Sequence, residues 1–293
     1  MTNDMNNSGN CSAIGDVNPE IKRRQGQRYL ITSEEVQKYH DQGYIVLEEF
    51  LTESEMALLD EKFEEFVAGK VEGMEKDFCD MSQPYGTPIE EFRLVNAMLP
   101  SHYSDALKNS AYQQVAQSVV DQLRPEVPSV MDYDQFLAKK PEKDGARFSM
   151  HQDLGYWPKT DDTWTATVSL ALTDSGLENG CLQVIPGTNR ELELRSHSPV
   201  NFADGNSAGS RDESHTLVIE SRESDAPVYL PVKRGSVTIH DERIIHGSAG
   251  NTSDNWRKTY VMAFRSKQTV AEERAMGFTH SHNDVVDWDT FIS

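Results

Sequence analysis

Apolar residues divide the chain into a helical opening and a strand-rich remainder. A short helix is expected from Thr32 or Ser33 to about Asp41, with Glu34 and Glu35 at the positive end of its dipole and Gly43 as its stop. Tyr44-Ile45-Val46-Leu47 reads as a strand. After Thr52, a longer helix presents Met56, Leu58, Leu59, Phe63 and Phe66 on one face. Another helix is expected from Ser104 to about Leu123. Residues 70–100 show no sustained period and carry Pro84, Gly86 and Pro88. An irregular stretch of that length suits a lid.

From Val130 the pattern changes. Val130 to Lys140, Ala146 to Gln152, Trp164 to Leu172, Leu182 to Ile185, Thr216 to Ile219, Val228 to Val232, Ser236 to His240, Ile244 to Gly247 and Lys258 to Phe264 read as short strands separated by turn residues. Alternation is clear in the third of these: Trp164, Ala166, Val168, Leu170 and Leu172 share one face, Thr163, Thr165, Thr167 and Ser169 the other. Helices followed by many strands predict a mostly β protein with flanking helices, a jelly roll with helices packed outside. Residues 1–20, rich in Asn, Ser, Asp and Gly, are expected to be a disordered tail, and 21–293 one domain. Ile21-Lys22-Arg23-Arg24 reads as a solvated linker, residues 196–226 as a mobile insertion, and the tail from about Ala271 carries little pattern.

Composition narrows the function. With 28 Lys and Arg against 48 Asp and Glu, the formal net charge is −20, which argues against nucleic acid or anionic membranes as partners. Cys11, Cys79 and Cys181 have no metal-binding or disulfide spacing and suit a reducing compartment. Neither a signal peptide nor an apolar run of spanning length is visible, so a soluble cytoplasmic protein is expected.

Candidate chemistry centres on His151-Gln152-Asp153. Side chains two residues apart on an extended strand point to the same side, so an imidazole and a carboxylate can share one ion. His246 follows in a later strand, within His246-Gly247-Ser248, and Arg257 opens the strand after it. Two histidines and one carboxylate on one face, with open positions, suit non-haem iron(II). His240 shares strand parity with His246 and is the rival for the third ligand; the Arg257 spacing and the Gly247-Ser248 context favour His246. A guanidinium beside such a site can grip a carboxylate with two parallel hydrogen bonds.

The chain resembles the phytanoyl-CoA dioxygenase family of iron(II)/2-oxoglutarate oxygenases. The resemblance rests on His151-Gln152-Asp153-Leu154 with Tyr156 and Pro158, Asn179-Gly180-Cys181-Leu182, Pro186-Gly187-Thr188, His246-Gly247-Ser248 with Asn251, and Arg257, and runs from about Ser33 to Arg265. It implies a double-stranded β-helix, iron(II) on His151, Asp153 and His246, and O2 and 2-oxoglutarate as cosubstrates. It also implies Arg257 at the distal carboxylate of 2-oxoglutarate, helped by Ser248. Lys140, from a family Lys-Pro, and Gln135 on the same strand are further cosubstrate candidates; Tyr156, Trp157 and Arg93 are substrate candidates.

Ser169 falls where the family carries a large aromatic residue, which implies a reshaped pocket. A carboxylate at Asp153 argues against halogenation. The activity implied is hydroxylation, desaturation or cyclisation of an unactivated C–H in a small organic substrate, such as an amino acid derivative or secondary metabolite, with release of succinate and carbon dioxide. Alternatives are an acyl-CoA hydroxylase, a zinc hydrolase on the same ligands, and a non-catalytic ligand-binding jelly roll. His280-Ser281-His282 is read as an exposed loop, and Lys139 and Lys143 as solvated charge.

Overall fold

A computed structural model describes residues 22–141, 145–200, 216–219 and 221–286. A small hairpin, β1 (Arg24–Gln25) and β2 (Arg28–Tyr29), precedes α1 (Ser33–Gln42), β3 (Tyr44–Leu47) and α2 (Glu53–Val67). Next come β4 (Phe78–Asp80), β5 (Leu94–Met98), α3 (Pro100–Tyr103), α4 (Ala111–Leu123) and the long β6 (Ser129–Lys139). Then follow β7 (Phe148–His151), β8 (Thr165–Ala171), β9 (Leu182–Ile185), β10 (His197–Pro199) and β11 (Leu217–Ile219). The chain continues with β12 (Val228–Leu230), β13 (Val237–His240), β14 (Ile245–Ser248), β15 (Arg257–Ser266) and α5 (Lys267–Ala275).

Two antiparallel sheets carry the architecture, one ordered β3-β13-β8-β15-β6-β5-β4 and the other β12-β9-β14-β7. Consecutive β13 and β14 lie in different sheets, the alternation of a jelly roll. Strand parity decides what each face of the larger sheet does. Phe136, Ala138, Ala166, Val168, Leu170, Tyr260, Met262 and Phe264 point outward and pack in one core with Met56, Leu59, Phe63 and Phe66 of α2 and Tyr112, Val115 and Val119 of α4. The odd-numbered residues of β6, β8 and β15 are left facing the space between the sheets.

Helix starts follow the sequence. Thr32 accepts from the Glu35 backbone N–H while the Glu35 side chain accepts from the Thr32 N–H, a reciprocal cap for α1. Gly43, at φ 81, ends the helix in the left-handed region that glycine adopts without penalty.

Four expectations are corrected. The helix from Ser104 is interrupted: Asn109 lies at φ 55, and α4 begins only after Ser110, which caps it by accepting from Gln113 N–H. Residues 70–100 are not an irregular lid, since β4 and β5 extend the large sheet. All five residues of β5 are buried, so no alternation advertises the strand. Arg23 and Arg24 are not a solvated linker, because they pair with Glu35 at 2.5 Å and Glu55 at 2.7 Å. The tail after Ala271 continues α5 and then packs inward.

That packing is ionic. Arg265, wholly buried, pairs with Glu273 and lies 3.5 Å from Asp132. Asp132 also meets Arg274 at 2.5 Å and His280 at 2.8 Å. Burial alone would raise the Asp132 pKa, but His280, then Arg274 and Arg265, override it and hold the carboxyl below its usual range. His280 is therefore a buried anchor and not part of an exposed loop. Of the proposed insertion, β10 and β11 form a ladder and the Leu217 N–H donates to the Tyr156 hydroxyl at 2.7 Å. Residues 201–215 and 220 of it, the tail expectation for 1–20, Cys11 and Lys143 lie outside the described residues. Among the described residues no helix is long and apolar enough to cross a membrane.

Removing one partner from a buried ion cluster leaves charge without compensation. Asp132→Ala should cost about 3–5 kcal/mol of folding free energy, read as a lower midpoint in urea unfolding followed by tryptophan fluorescence.

Candidate metal and cosubstrate site

Two strands of the smaller sheet bring the histidines together. β14 pairs with β7 so that His246 stands directly opposite His151, ring centroids 4.3 Å apart. The register shifts immediately after His246. Gly247 permits it: a Cβ there would come 2.8 Å from both the Met150 sulfur and the Phe148 carbonyl oxygen. On β7 the ladder ends at His151. Gln152 stays extended at φ −120 and ψ 128, which keeps Asp153 on the same side, and a 3-10 turn begins at Asp153.

The three side chains converge. Asp153 Oδ1 is 3.3 Å from His151 Nε2 and 3.4 Å from His246 Nε2. Ligand bonds of about 2.1 Å at near-right angles give spacings of roughly 3 Å. His151 Nδ1 lies 2.6 Å from the Ser149 carbonyl oxygen and His246 Nδ1 3.1 Å from that of Ile244. A carbonyl accepts only from N–H, so both Nδ1 atoms carry the proton and both Nε2 lone pairs aim at the shared space. This donor set fits a divalent metal.

Charge follows from the same contacts. Burial would raise the Asp153 pKa, but His246, with His151 and His240 close by, holds the carboxyl well below its ordinary range. Burial and neighbouring His246 lower His151, and push His240 down to about 4. For His246 the Asp153 carboxylate outweighs burial and raises the pKa. His240 stands beside the triad, its ring 4.3 Å from that of His246. Its Nε2 is 3.5 Å from Asp153 Oδ2, a marginal contact that leaves both buried ring nitrogens without a well-formed hydrogen bond.

Two cavities meet at these ligands. The smaller, about 80 Å³, is lined by His246, Ser248, Arg257, Lys139, Thr259 and Ser169 among others. Arg257 lies buried at Ser175, its Nε 3.4 Å from the hydroxyl, and burial lowers its pKa to about 10. Gln135 borders both cavities, and its Nε2 donates to Asn96 Oδ1 at 2.6 Å.

Lys140 does not reach this space. It follows the end of β6 and sends its ammonium to the Ile89 carbonyl at 3.0 Å. Lys139, expected to be solvated, is the inward lysine, 1% exposed, donating to Ser248 Oγ at 2.7 Å and to the Ala249 carbonyl. Parity explains the exchange: 135, 137 and 139 face the cavity, and 140 cannot join them.

The larger cavity, about 360 Å³, is lined by Tyr85, Tyr133, Phe148, Tyr156, Trp157 and Phe278, with Met81, Met98 and Leu217. Tyr156 and Trp157, the substrate candidates, both line it. Arg93 does not: it is exposed, outside both cavities, with its side chain against Gly145. Sequence reasoning missed Phe278, His280 and His282, which come from the C-terminal segment. A His-x-His was the only signal there.

Comparison with known proteins identifies the family. The sequence profile of the phytanoyl-CoA dioxygenase (PhyH) family matches residues 39–259. Peroxisomal phytanoyl-CoA dioxygenase of Homo sapiens is 22% identical over 253 residues, covering 81% of this chain and 69% of that protein. A probable alpha-ketoglutarate-dependent hypophosphite dioxygenase of Stutzerimonas stutzeri is 24% identical over 236 residues, covering 79% and 78%. The non-heme alpha ketoglutarate dependent carbocyclase SnoK from nogalamycin biosynthesis shares the fold, with TM-score 0.62 and 21% identity over 80% of this chain and 83% of that one. The chain belongs to the phytanoyl-CoA dioxygenase family and is an iron(II)- and 2-oxoglutarate-dependent oxygenase.

Proposed function

We propose that His151, Asp153 and His246 hold the iron, that 2-oxoglutarate occupies the smaller cavity with its far carboxylate toward Arg257 and Ser248, and that a small organic molecule fills the larger one, against its aromatic side chains and the polar groups of Lys76, His282 and Asp284. The observation that carries this reading is the meeting of the two cavities at one ligand set, with a buried guanidinium in the smaller. Iron(II), 2-oxoglutarate and O2 together supply oxidation of an unactivated C–H bond, with release of succinate and carbon dioxide. The chain's part is positional. His151 and His246 present fixed tautomers, Asp153 supplies the negative charge, and the aromatic walls orient the substrate. Which hydrogen faces the ligands would set the carbon attacked.

Acyl-CoA is a poor fit. Its phosphates call for several cations, and Lys76 is the one Lys or Arg among the described residues lining the larger cavity. Zinc hydrolysis leaves Arg257 without a role. The overall charge of −20 makes nucleic acid an unfavourable partner, so the partner proposed is the substrate alone.

Anaerobic addition of iron(II) and 2-oxoglutarate should give a weak visible charge-transfer band. No band and no succinate with any substrate would sink the reading. His151→Ala and His246→Ala should each abolish stoichiometric iron binding in anaerobic equilibrium dialysis, whereas His240→Ala should retain one iron per chain; the reverse pattern would make His240 the ligand.

Metal binding should also stabilise the fold. Iron(II) at a hundred times its Kd should add about 2.7 kcal/mol, seen as a rise in melting temperature under anaerobic conditions. His246→Ala should show no such rise.

A further inference from the structure

Lys139 is the last residue of β6 and Arg257 the first of β15, and the ladder places them directly opposite each other. Both are buried and both line the smaller cavity. Like charges directly opposite on neighbouring strands repel, and burial removes the water that would screen them. A fold that keeps such a pair either leaves the lysine uncharged or supplies a compensating anion.

None of the described residues at this end supplies one. Asp153 is the only carboxylate among the described residues lining the cavity, and it is engaged by histidines. The partners of the Lys139 amine are neutral: Ser248 Oγ at 2.7 Å and the Ala249 carbonyl. Protonated, as it would be beside a carboxylate, the amine has three N–H donors, so these two leave one for a ligand. Arg257 has only the Ser175 hydroxyl at its Nε, at 3.4 Å.

The amine cannot retreat to solvent either. Gly180, at φ 77, lies over it; a Cβ there would overlap the Ala249 and Gly250 carbonyl oxygens and stand 3.0 Å from Lys139 Nζ. Burial first, and then Arg257, depress the lysine's pKa well below its ordinary value; Cys181 works against them and Arg147 with them. A carboxylate arriving between the two cations would reverse that balance.

We propose that Lys139 is a second binding residue for the far carboxylate of the 2-oxo acid, which Arg257 and Lys139 clamp between them while the lysine also fixes Ser248. This rests on the cosubstrate placement proposed above. It gives the site a preference for 2-oxo dicarboxylic acids, because a 2-oxo acid with an apolar end would leave both cations unanswered.

The test is Lys139→Met, which keeps the length of the stem and removes the charge. With iron(II) bound anaerobically, 2-oxoglutarate affinity is read from the charge-transfer band. Losing a charge-assisted hydrogen bond should weaken it roughly 10- to 100-fold. The melting temperature without cosubstrate should stay level or rise, since an uncompensated buried charge has gone.

An affinity within twofold of wild type would overturn the proposal, and so would a lower melting temperature with unchanged affinity, the mark of a purely structural lysine. Should the variant fail to fold, a crystal structure of the wild type with iron(II) and 2-oxoglutarate decides. A carboxylate oxygen about 3 Å from Lys139 Nζ supports the clamp, and one well beyond hydrogen-bond reach rules it out. Failure of wild type itself to bind 2-oxoglutarate would instead refute the cosubstrate placement.

Discussion

His151 and His246 face each other across β7 and β14, two strands of four residues each, and the rest of the site depends on that register. A slip of one residue in either strand would turn its imidazole to the opposite face and separate the pair. The register is held from both sides. β14 pairs along its whole length with β9, and Thr188, just after β9, accepts from the Ile245 N–H at 2.9 Å. Gln152, buried between His151 and Asp153, donates to the Arg243 carbonyl and accepts from the Arg195 N–H. The candidate ligands are thus positioned by backbone pairing and side-chain pins.

The family signature residues are largely such pins. Asn179 folds its own loop by accepting from the Gly176 N–H and donating to the Asp174 carbonyl. Asn251 donates to the Lys139 and Asn255 carbonyls, tying the turn between β14 and β15 to the end of β6. That tie places Lys139, Ser248 and Arg257 around one small volume. Gly180 and Gly247 matter for a different reason, since each lies where a neighbouring backbone comes too close for a Cβ.

Much of this was legible in the sequence, and what escaped has physical causes. The alternation in 164–172 identified both faces of β8 correctly, because one face packs on helices and the other borders a polar cavity. The motif spacing brought His151, Asp153, His246 and Arg257 to one region. β5 escaped because burial on both faces erases the period of two. The C-terminal segment escaped because Arg265, Asp132, Glu273, Arg274 and His280 hold it, and a cluster of ion pairs drawn from distant positions has no period. Lys139 was a different failure. Adjacent lysines were separated by motif likeness when strand parity, already counted through Gln135, favours Lys139 as the inward one.

Charge distribution completes the account of how a keto acid is held. With a net charge of −20, the protein as a whole repels a dianion, so long-range steering works against the cosubstrate. Affinity must then come from short-range contacts. A cation buried beside another in a dry cavity interacts with an entering carboxylate at an effective dielectric far below that of water, and salt screens it little. In the proposed placement, a carboxylate between Arg257 and Lys139 would offset the repulsion between them, and that relief would add to the attraction each cation contributes. The acidic exterior and the cationic floor are therefore compatible: the first governs solubility and approach, the second governs what is retained.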